Sequence, residues 1–223
     1  MNIANDTTPD DRFVPHLADH RFCKTSPTIP NFFALCGVDG SGKSTVCEQV
    51  AHILEQKNIP VYSHKEPDGS ALGKLSLAEL YHGGSNSSLS QAMTFIGLMA
   101  HHWDAVIAPR LDLGIVVISD RHFPSTLVYH QNSKYIGQIE NALFSLCDHC
   151  GGLPSVVVLD SAPKCAAIRA GLSTDTASID RLARLRHGYR RLAHAYGWLV
   201  LSADASSPEE NSERIVRMIL NNE

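Results

Sequence analysis

Residues Gly37-Val38-Asp39-Gly40-Ser41-Gly42-Lys43-Ser44 follow the spacing G-x-x-x-x-G-K-[ST]. They lie between the apolar run Phe32-Phe33-Ala34-Leu35-Cys36 and a segment, 43–56, in which Val46, Val50, Ile53 and Leu54 recur on one helical face. This strand–loop–helix unit constrains the chain more than any other feature. Polyphosphate oxygens need several backbone N–H donors converging on one point. Glycines let the backbone turn and approach closely, and the following helix presents its positive end. Lys43 then reaches the β- and γ-phosphates of a nucleoside triphosphate, and the Ser44 hydroxyl ligates Mg²⁺. The competing reading is a glycine turn followed by an ordinary surface lysine. A strand before the loop and a helix after it weigh against that.

The rest of the chain alternates in the same way. Val61-Tyr62 reads as a brief strand, and Ile115–Ile118, Val156–Leu159 and Trp198–Leu201 as continuous apolar strands buried on both faces. Helical patterns cover 71–81, 137–147, 163–170, 179–195 and 208–220. Ser90 is expected to cap a long helix ending near Leu111, with Pro109 kinking or ending it. Gly83-Gly84-Ser85-Asn86 reads as a loop. The pattern predicts an α/β protein, a three-layer α/β/α fold around a five-stranded, mainly parallel sheet, with ligands gathered at the carboxyl ends of the strands. Residues 1–30 are polar, hold Pro15, Pro27 and Pro30, and read as a flexible N-terminal extension.

The net charge is −4, from 19 basic and 23 acidic residues. No basic run tracks a nucleic-acid backbone, so no nucleic-acid partner is expected. No apolar stretch reaches the roughly 18 residues that a membrane span needs, so no membrane partner is expected either. The N-terminus lacks a basic segment followed by an apolar one, and a cytoplasmic protein with reduced cysteines follows as the expectation. Cys36, Cys47 and Cys165 read as small core residues.

Asp120-Arg121 closes the strand that starts at Ile115. An acid at that place can hold the Mg²⁺ shell or orient the attacking group, and an arginine can grip a phosphate with two prongs. Alone, the pair would read as solvated charges. Cys147-Asp148-His149-Cys150 is a lone C-x-x-C, set between a zinc half-site and a coincidence at a helix end. His16 and His20 are spaced i, i+4 in the extension. His101-His102-Trp103 is open to packing, a dimer surface, or contact with a base or sugar. Leu98, Met99 and Trp103 form a stripe of the core kind.

Four segments, in order, resemble the thymidylate kinase family. They are Phe33 to Thr45, Lys65-Glu66-Pro67-Asp68-Gly69-Ser70-Ala71-Leu72-Gly73, Asp120-Arg121-His122-Phe123-Pro124-Ser125-Thr126-Leu127-Val128-Tyr129, and Arg184-Leu185-Arg186-His187-Gly188-Tyr189. The resemblance covers 32 to about 220 and implies a P-loop nucleotide kinase domain over 31–223 with a short lid. It implies ATP and Mg²⁺ as cofactors, a nucleoside monophosphate as substrate and a homodimer. Gly37, Asp39, Gly40, Ser41, Gly42, Lys43, Ser44, Thr45 and Arg169 would hold ATP, with Ser44 and Asp120 at the metal. Asp39 would bond the sugar 3′-hydroxyl, Lys65 and Arg121 the acceptor phosphate, and Phe95 would stack on the base. Tyr129 would close the sugar pocket, and Glu66, Pro67, Met99 and Ser125 would complete the acceptor site.

This sequence departs from the family pattern at four places. Lys65 stands in place of an arginine and trades a fork for a point charge. Met99 stands where an arginine reaches the base, and losing a charged hydrogen bond costs roughly 1.5–3 kcal/mol. His130 replaces a glutamine. The lid, Leu-Ser-Thr-Asp-Thr-Ala-Ser between Gly171 and Ile179, is short and holds no arginine. Gly40 occupies the loop position from which a catalytic arginine can come, so Arg181 or Arg184 must supply that charge. Two other readings stay open: a related kinase with an altered acceptor, and a nucleotide-binding regulator with weak turnover.

Overall fold

A computed structural model describes residues 26–82 and 89–221. The Gly83–Asn86 loop, His16, His20 and residues 1–25 of the extension lie outside the described residues. In chain order the elements are β1 (Thr28–Cys36), α1 (Lys43–Gln56), β2 (Val61–Lys65), α2 (Ala71–His82) and α3 (Leu89–His102). A π-helical turn (Trp103–Ile107), α4 (Ala108–Asp112), β3 (Val116–Asp120), α5 (Phe123–Tyr129) and α6 (Ile136–Cys150) follow. The chain then runs through β4 (Leu153–Asp160), α7 (Pro163–Arg169), α8 (Thr176–Tyr196), β5 (Leu199–Ser202) and α9 (Pro208–Asn221).

All five strands are parallel, in the order β2-β3-β1-β4-β5. β1 is central, and the sequence order reverses on either side of it. The crevice outside its carboxyl end is where a doubly wound sheet leaves room for a ligand. β1 and β3 read as unbroken apolar runs because both faces are covered. Ala34 and Cys36 face one packed layer with Phe123, Leu143 and Leu182, while Leu35 faces the other with Val50, Leu54 and Ile215. Helices on both faces make the three layers that the sequence pattern predicts.

Several boundaries differ from the sequence reading. β1 begins at Thr28, so residues 28–30 belong to the sheet rather than to the extension. Pro30 and Asn31 obscured this. Asn31 takes φ 59, and the β1–β4 register shifts between Thr28 and Phe33. A bulge there tolerates the proline. Ser90 is not a cap, because α3 already starts at Leu89. Pro109 sits in the first turn of α4, and the wide turn before it absorbs the missing N–H without ending the helical path. β2 runs on through Ser63, His64 and Lys65, which carry no apolar signal. α5, only seven residues long, was too short to show a period. Cys36 and Cys47 are buried as expected, but Cys165 is exposed on α7, where Ala166 and Ala167 take the inward positions.

The central strand carries the largest share of the packing. Leu35 is completely buried, so Leu35→Ala removes both transfer energy and packing. It should lower stability by about 2–5 kcal/mol, measured by urea unfolding; a loss below about 1 kcal/mol would contradict this account of the core.

Candidate active site

Three strand ends meet at one edge. In the sheet register Asp120 stands level with Leu35 on one side and Lys65 on the other. The chain therefore leaves β1, β2 and β3 at the same height and delivers Asp39, Lys65 and Arg121 to one crevice.

The loop after β1 depends on glycines at two positions, one for a close contact and one for its backbone angle. Gly40 takes φ 79, and a Cβ there would collide with the backbone carbonyl of Ala166. No arginine or other side chain fits at this position. Gly42 takes φ 88 directly before α1. The Lys43 side chain curls into the loop, its Nζ donating to the Val38 carbonyl at 2.8 Å and lying 3.4 Å from Ser41 Oγ. Ser44 Oγ donates to Asp120 Oδ2 at 2.5 Å. The other oxygen, Asp120 Oδ1, is buried and has no protein hydrogen-bond donor. A hydroxyl and a spare carboxylate oxygen side by side are hard oxygen donors and fit a Mg²⁺ ion with its waters. Thr45 is exposed on the first turn of α1.

Arg121 is the hub of the other half. Its backbone takes φ 81, an unfavourable region for a residue with a Cβ. Its N–H donates to the Leu35 carbonyl at 2.9 Å, and Ser119 Oγ donates to its carbonyl at 2.5 Å. This pinned backbone turns the guanidinium back over the phosphate loop. Nη2 pairs with Asp39 Oδ1, and Nη1 lies 3.3 Å from the Gly37 carbonyl and 3.4 Å from Tyr189 Oη. Tyr129 Oη donates to Asp39 Oδ2 at 2.9 Å, and Tyr189 Oη donates to Ser125 Oγ at 3.0 Å. Burial alone would raise the Asp39 carboxyl, but Arg121 and then Lys43 hold it below the usual carboxylate range. Burial drives the Tyr129 phenol up to about 12, so it remains a donor.

Asp39, Lys65, Glu66, Pro67, Phe95, Met99, Arg121, Ser125 and Tyr129 all line one cavity of about 730 Å³. The expected acceptor residues are thus brought together. Arg181 lines it too, with its Cζ 6.0 Å from the Tyr129 ring centre. Arg184 is exposed one turn further along α8, outside the cavity lining, and its carbonyl accepts from Gln131 Nε2. Arg169 lies away from the cavity. It pairs with Asp204 and donates to Ser161 Oγ at 2.9 Å, beside the ends of β4 and β5. Cys147 and Cys150 ride the last turns of α6, the first buried and the second half-buried.

Sequence reasoning missed Tyr189, Leu172 and His122. Leu172 and His122 line the cavity, and Tyr189 braces Arg121. Tyr189 had a readable neighbour in Gly188, where a Cβ would lie 2.7 Å from Gln131 Oε1 and 3.1 Å from a Val128 methyl. A glycine followed by a tyrosine on a helix marks close packing, here of α8 on α5. Arg186 fixes the same helix from its other side, forking onto Asp160 at 2.6 and 2.8 Å. α8 is therefore held at both ends of the motif, and Arg181 is carried to the cavity mouth.

Lys43 is 5 % exposed. Burial, reinforced by the nearby Arg121, lowers its ammonium from 10.5 to about 7. The unfolded chain therefore binds a proton that the folded chain lacks between pH about 7 and 10.5, so stability rises with pH across that window. Denaturant unfolding of the nucleotide-free protein at pH 7 and pH 9 should show this rise, and Lys43→Met should flatten it. Equal slopes in both proteins would contradict the burial of a titrating ammonium.

Comparison with known proteins supplies the context for this geometry. The family model described as thymidylate kinase matches residues 35–215. The thymidylate kinase of Carboxydothermus hydrogenoformans is 33% identical over 191 residues, covering 80% of this chain and 91% of that protein. That of Symbiobacterium thermophilum is 32% identical over 203 residues, 85% of this chain and 92% of the relative. A probable thymidylate kinase of Pyrococcus horikoshii is 32% identical over 197 residues, 84% and 95% respectively. With the match running from the central strand into the last helix, the chain belongs to the thymidylate kinase family.

Proposed function

We propose that this chain transfers the γ-phosphoryl group of ATP, with Mg²⁺, to the phosphate of dTMP, giving ADP and dTDP. The single observation that carries the reading is the joining of two sites through one ion pair. Asp39 belongs to the phosphate loop, Arg121 to the acceptor cavity, and they touch. A donor phosphate in the loop and an acceptor phosphate in the cavity would meet there.

An oxygen of the acceptor phosphate attacks the γ-phosphorus in line, and the bond from that phosphorus to the β,γ-bridging oxygen breaks. Positioning and charge neutralisation supply the catalysis. The loop amides and Lys43 would hold the β- and γ-phosphates. Ser44 and Asp120 would hold Mg²⁺, which supplies charge neutralisation across those oxygens. Arg121 and Lys65 would grip the acceptor phosphate, while Asp39 and Tyr129 would bracket the sugar. Phe95 would stack on the base. Arg169, with Asp204, would border the adenosine side. Arg181 would neutralise the transferring group: it lines the cavity, whereas Gly40 admits no side chain and Arg184 lies outside the lining. A homodimer remains part of this proposal.

The base end of the cavity favours selection by shape over selection by charge. Leu98 and Met99 are buried in its wall, and His130 is tied through Nδ1 to the Thr126 carbonyl at 2.8 Å. Burial holds the His130 imidazole below its usual range, so it is neutral there. Rates with dTMP, dUMP, dCMP and dGMP should therefore differ modestly; a several-hundred-fold preference for dTMP would contradict selection by shape.

A coupled ADP-release assay tests the reaction itself. Turnover with ATP, Mg²⁺ and dTMP is expected, and Lys43→Ala should abolish it with the circular dichroism spectrum unchanged. Arg181→Ala should lower kcat by about 10³-fold or more, with KM for dTMP changed far less and Arg184→Ala having the smaller effect. ATP binding without ADP formation on any monophosphate would overturn the kinase reading in favour of a nucleotide-binding regulator.

A further inference from the structure

At the wall of the acceptor cavity, sharing Glu66 with it, lies a second polar cluster whose histidines have no role in the proposed transfer. His64 is the next-to-last residue of β2, Glu66 follows that strand directly, and His102 ends α3. Each offers one donor atom, and these atoms all lie within 4.8 Å of one another. Among the described residues no other group of three histidine, cysteine or acidic side chains is gathered in this way. Glu66 is 6 % exposed and His102 only 3 %. His102 Nδ1 lies 3.3 Å from Glu66 Oε1. Its Nε2 lies 3.2 Å from Asp68 Oδ2, at ion-pair distance. His64 Nε2 is buried without a hydrogen-bond partner. The His64 and His102 rings meet edge-on at 5.4 Å.

Buried polar atoms are normally satisfied, and the open His64 Nε2 beside a buried carboxylate needs an explanation. A protonated His102 held between Glu66 and Asp68 explains both of its contacts but leaves His64 Nε2 without a partner. A cation held by His64, Glu66 and His102 accounts for that atom and for the gathering of the three donors. Two imidazoles and a carboxylate make a donor set for a borderline divalent ion, with water in the fourth position. The set is poor for Mg²⁺, which prefers oxygen ligands and its own waters.

We propose that His64, Glu66 and His102, completed by water, form a binding site for a divalent cation of the zinc class, separate from the Ser44–Asp120 pair. Loading it cross-links the end of β2 to the end of α3. Lys65 and Pro67 flank Glu66 and line the acceptor cavity, so the ion stiffens that wall. The inference does not depend on the proposed reaction.

The test uses the full chain freed of metal by a chelator, titrated with Zn²⁺ and separately with Co²⁺. The expected result is one equivalent bound, visible d–d absorption from bound Co²⁺, and a rise in Tm with Zn²⁺ that Mg²⁺ does not reproduce. His64→Gln and His102→Gln should each weaken Zn²⁺ binding by at least about tenfold. Removing Cys147 and Cys150, or His16 and His20, should leave it unchanged. Should His102→Gln fail to fold, the half-buried His64→Gln decides. Failure to bind a stoichiometric ion, or undiminished binding in His64→Gln, would overturn the site.

Discussion

The fit of a bare glycine backbone against the neighbouring helix is the constraint on which this site depends. Gly40 lies so close to the Ala166 carbonyl that any side chain would push the loop off α7. That contact keeps the loop compact. In the same loop the Lys43 ammonium is buried and close to Arg121, which lowers its pKa to about 7. A buried cation is costly unless an anion arrives, so the loop is built for a charged guest. The same contact leaves no room for an arginine at position 40, while Arg181 of α8 lines the cavity.

From this loop the second half of the site follows through a few strong contacts. Parallel register places Asp120 beside Ser44 and turns Arg121 toward Asp39. Tyr129 donates to Asp39 and Arg121 reaches Tyr189, so two aromatic hydroxyls flank the ion pair. Asp160 and Gly188 fix α8 against the sheet and against α5. Each anchor is a local device, and together they set the distance between the Gly37–Ser44 loop and the Arg121 side of the cavity.

Much of this was legible in the sequence because the signals are local. The loop spacing, the apolar runs of β1, β3 and β4, and the periodic face of α1 each lie within one stretch of chain. Lys65, Phe95, Met99 and Tyr129, from three separate stretches of chain, line the one cavity. What escaped reading has a physical cause in each case. β1 hides its start behind Pro30 and the left-handed Asn31. β2 ends in Ser63, His64 and Lys65, polar residues of which the first and last are exposed, so no apolar pattern marks them as strand. α5 is shorter than two full helical periods. Tyr189 acts on Arg121 across 68 residues, and His102 meets Glu66 across 36. Such pairings arise from topology, and no window of sequence contains them.

The account stands on phosphates running from the Gly37–Ser44 loop to Arg121. A crystal structure with a bisubstrate analogue, adenosine and thymidine joined through five phosphates, tests this most directly. The account predicts phosphate oxygens on the loop amides and Lys43, the far end of the chain at Arg121 and Lys65, and thymine between Phe95 and Met99. A phosphate chain lying outside the loop, or a thymidine seated anywhere but this cavity, would contradict it.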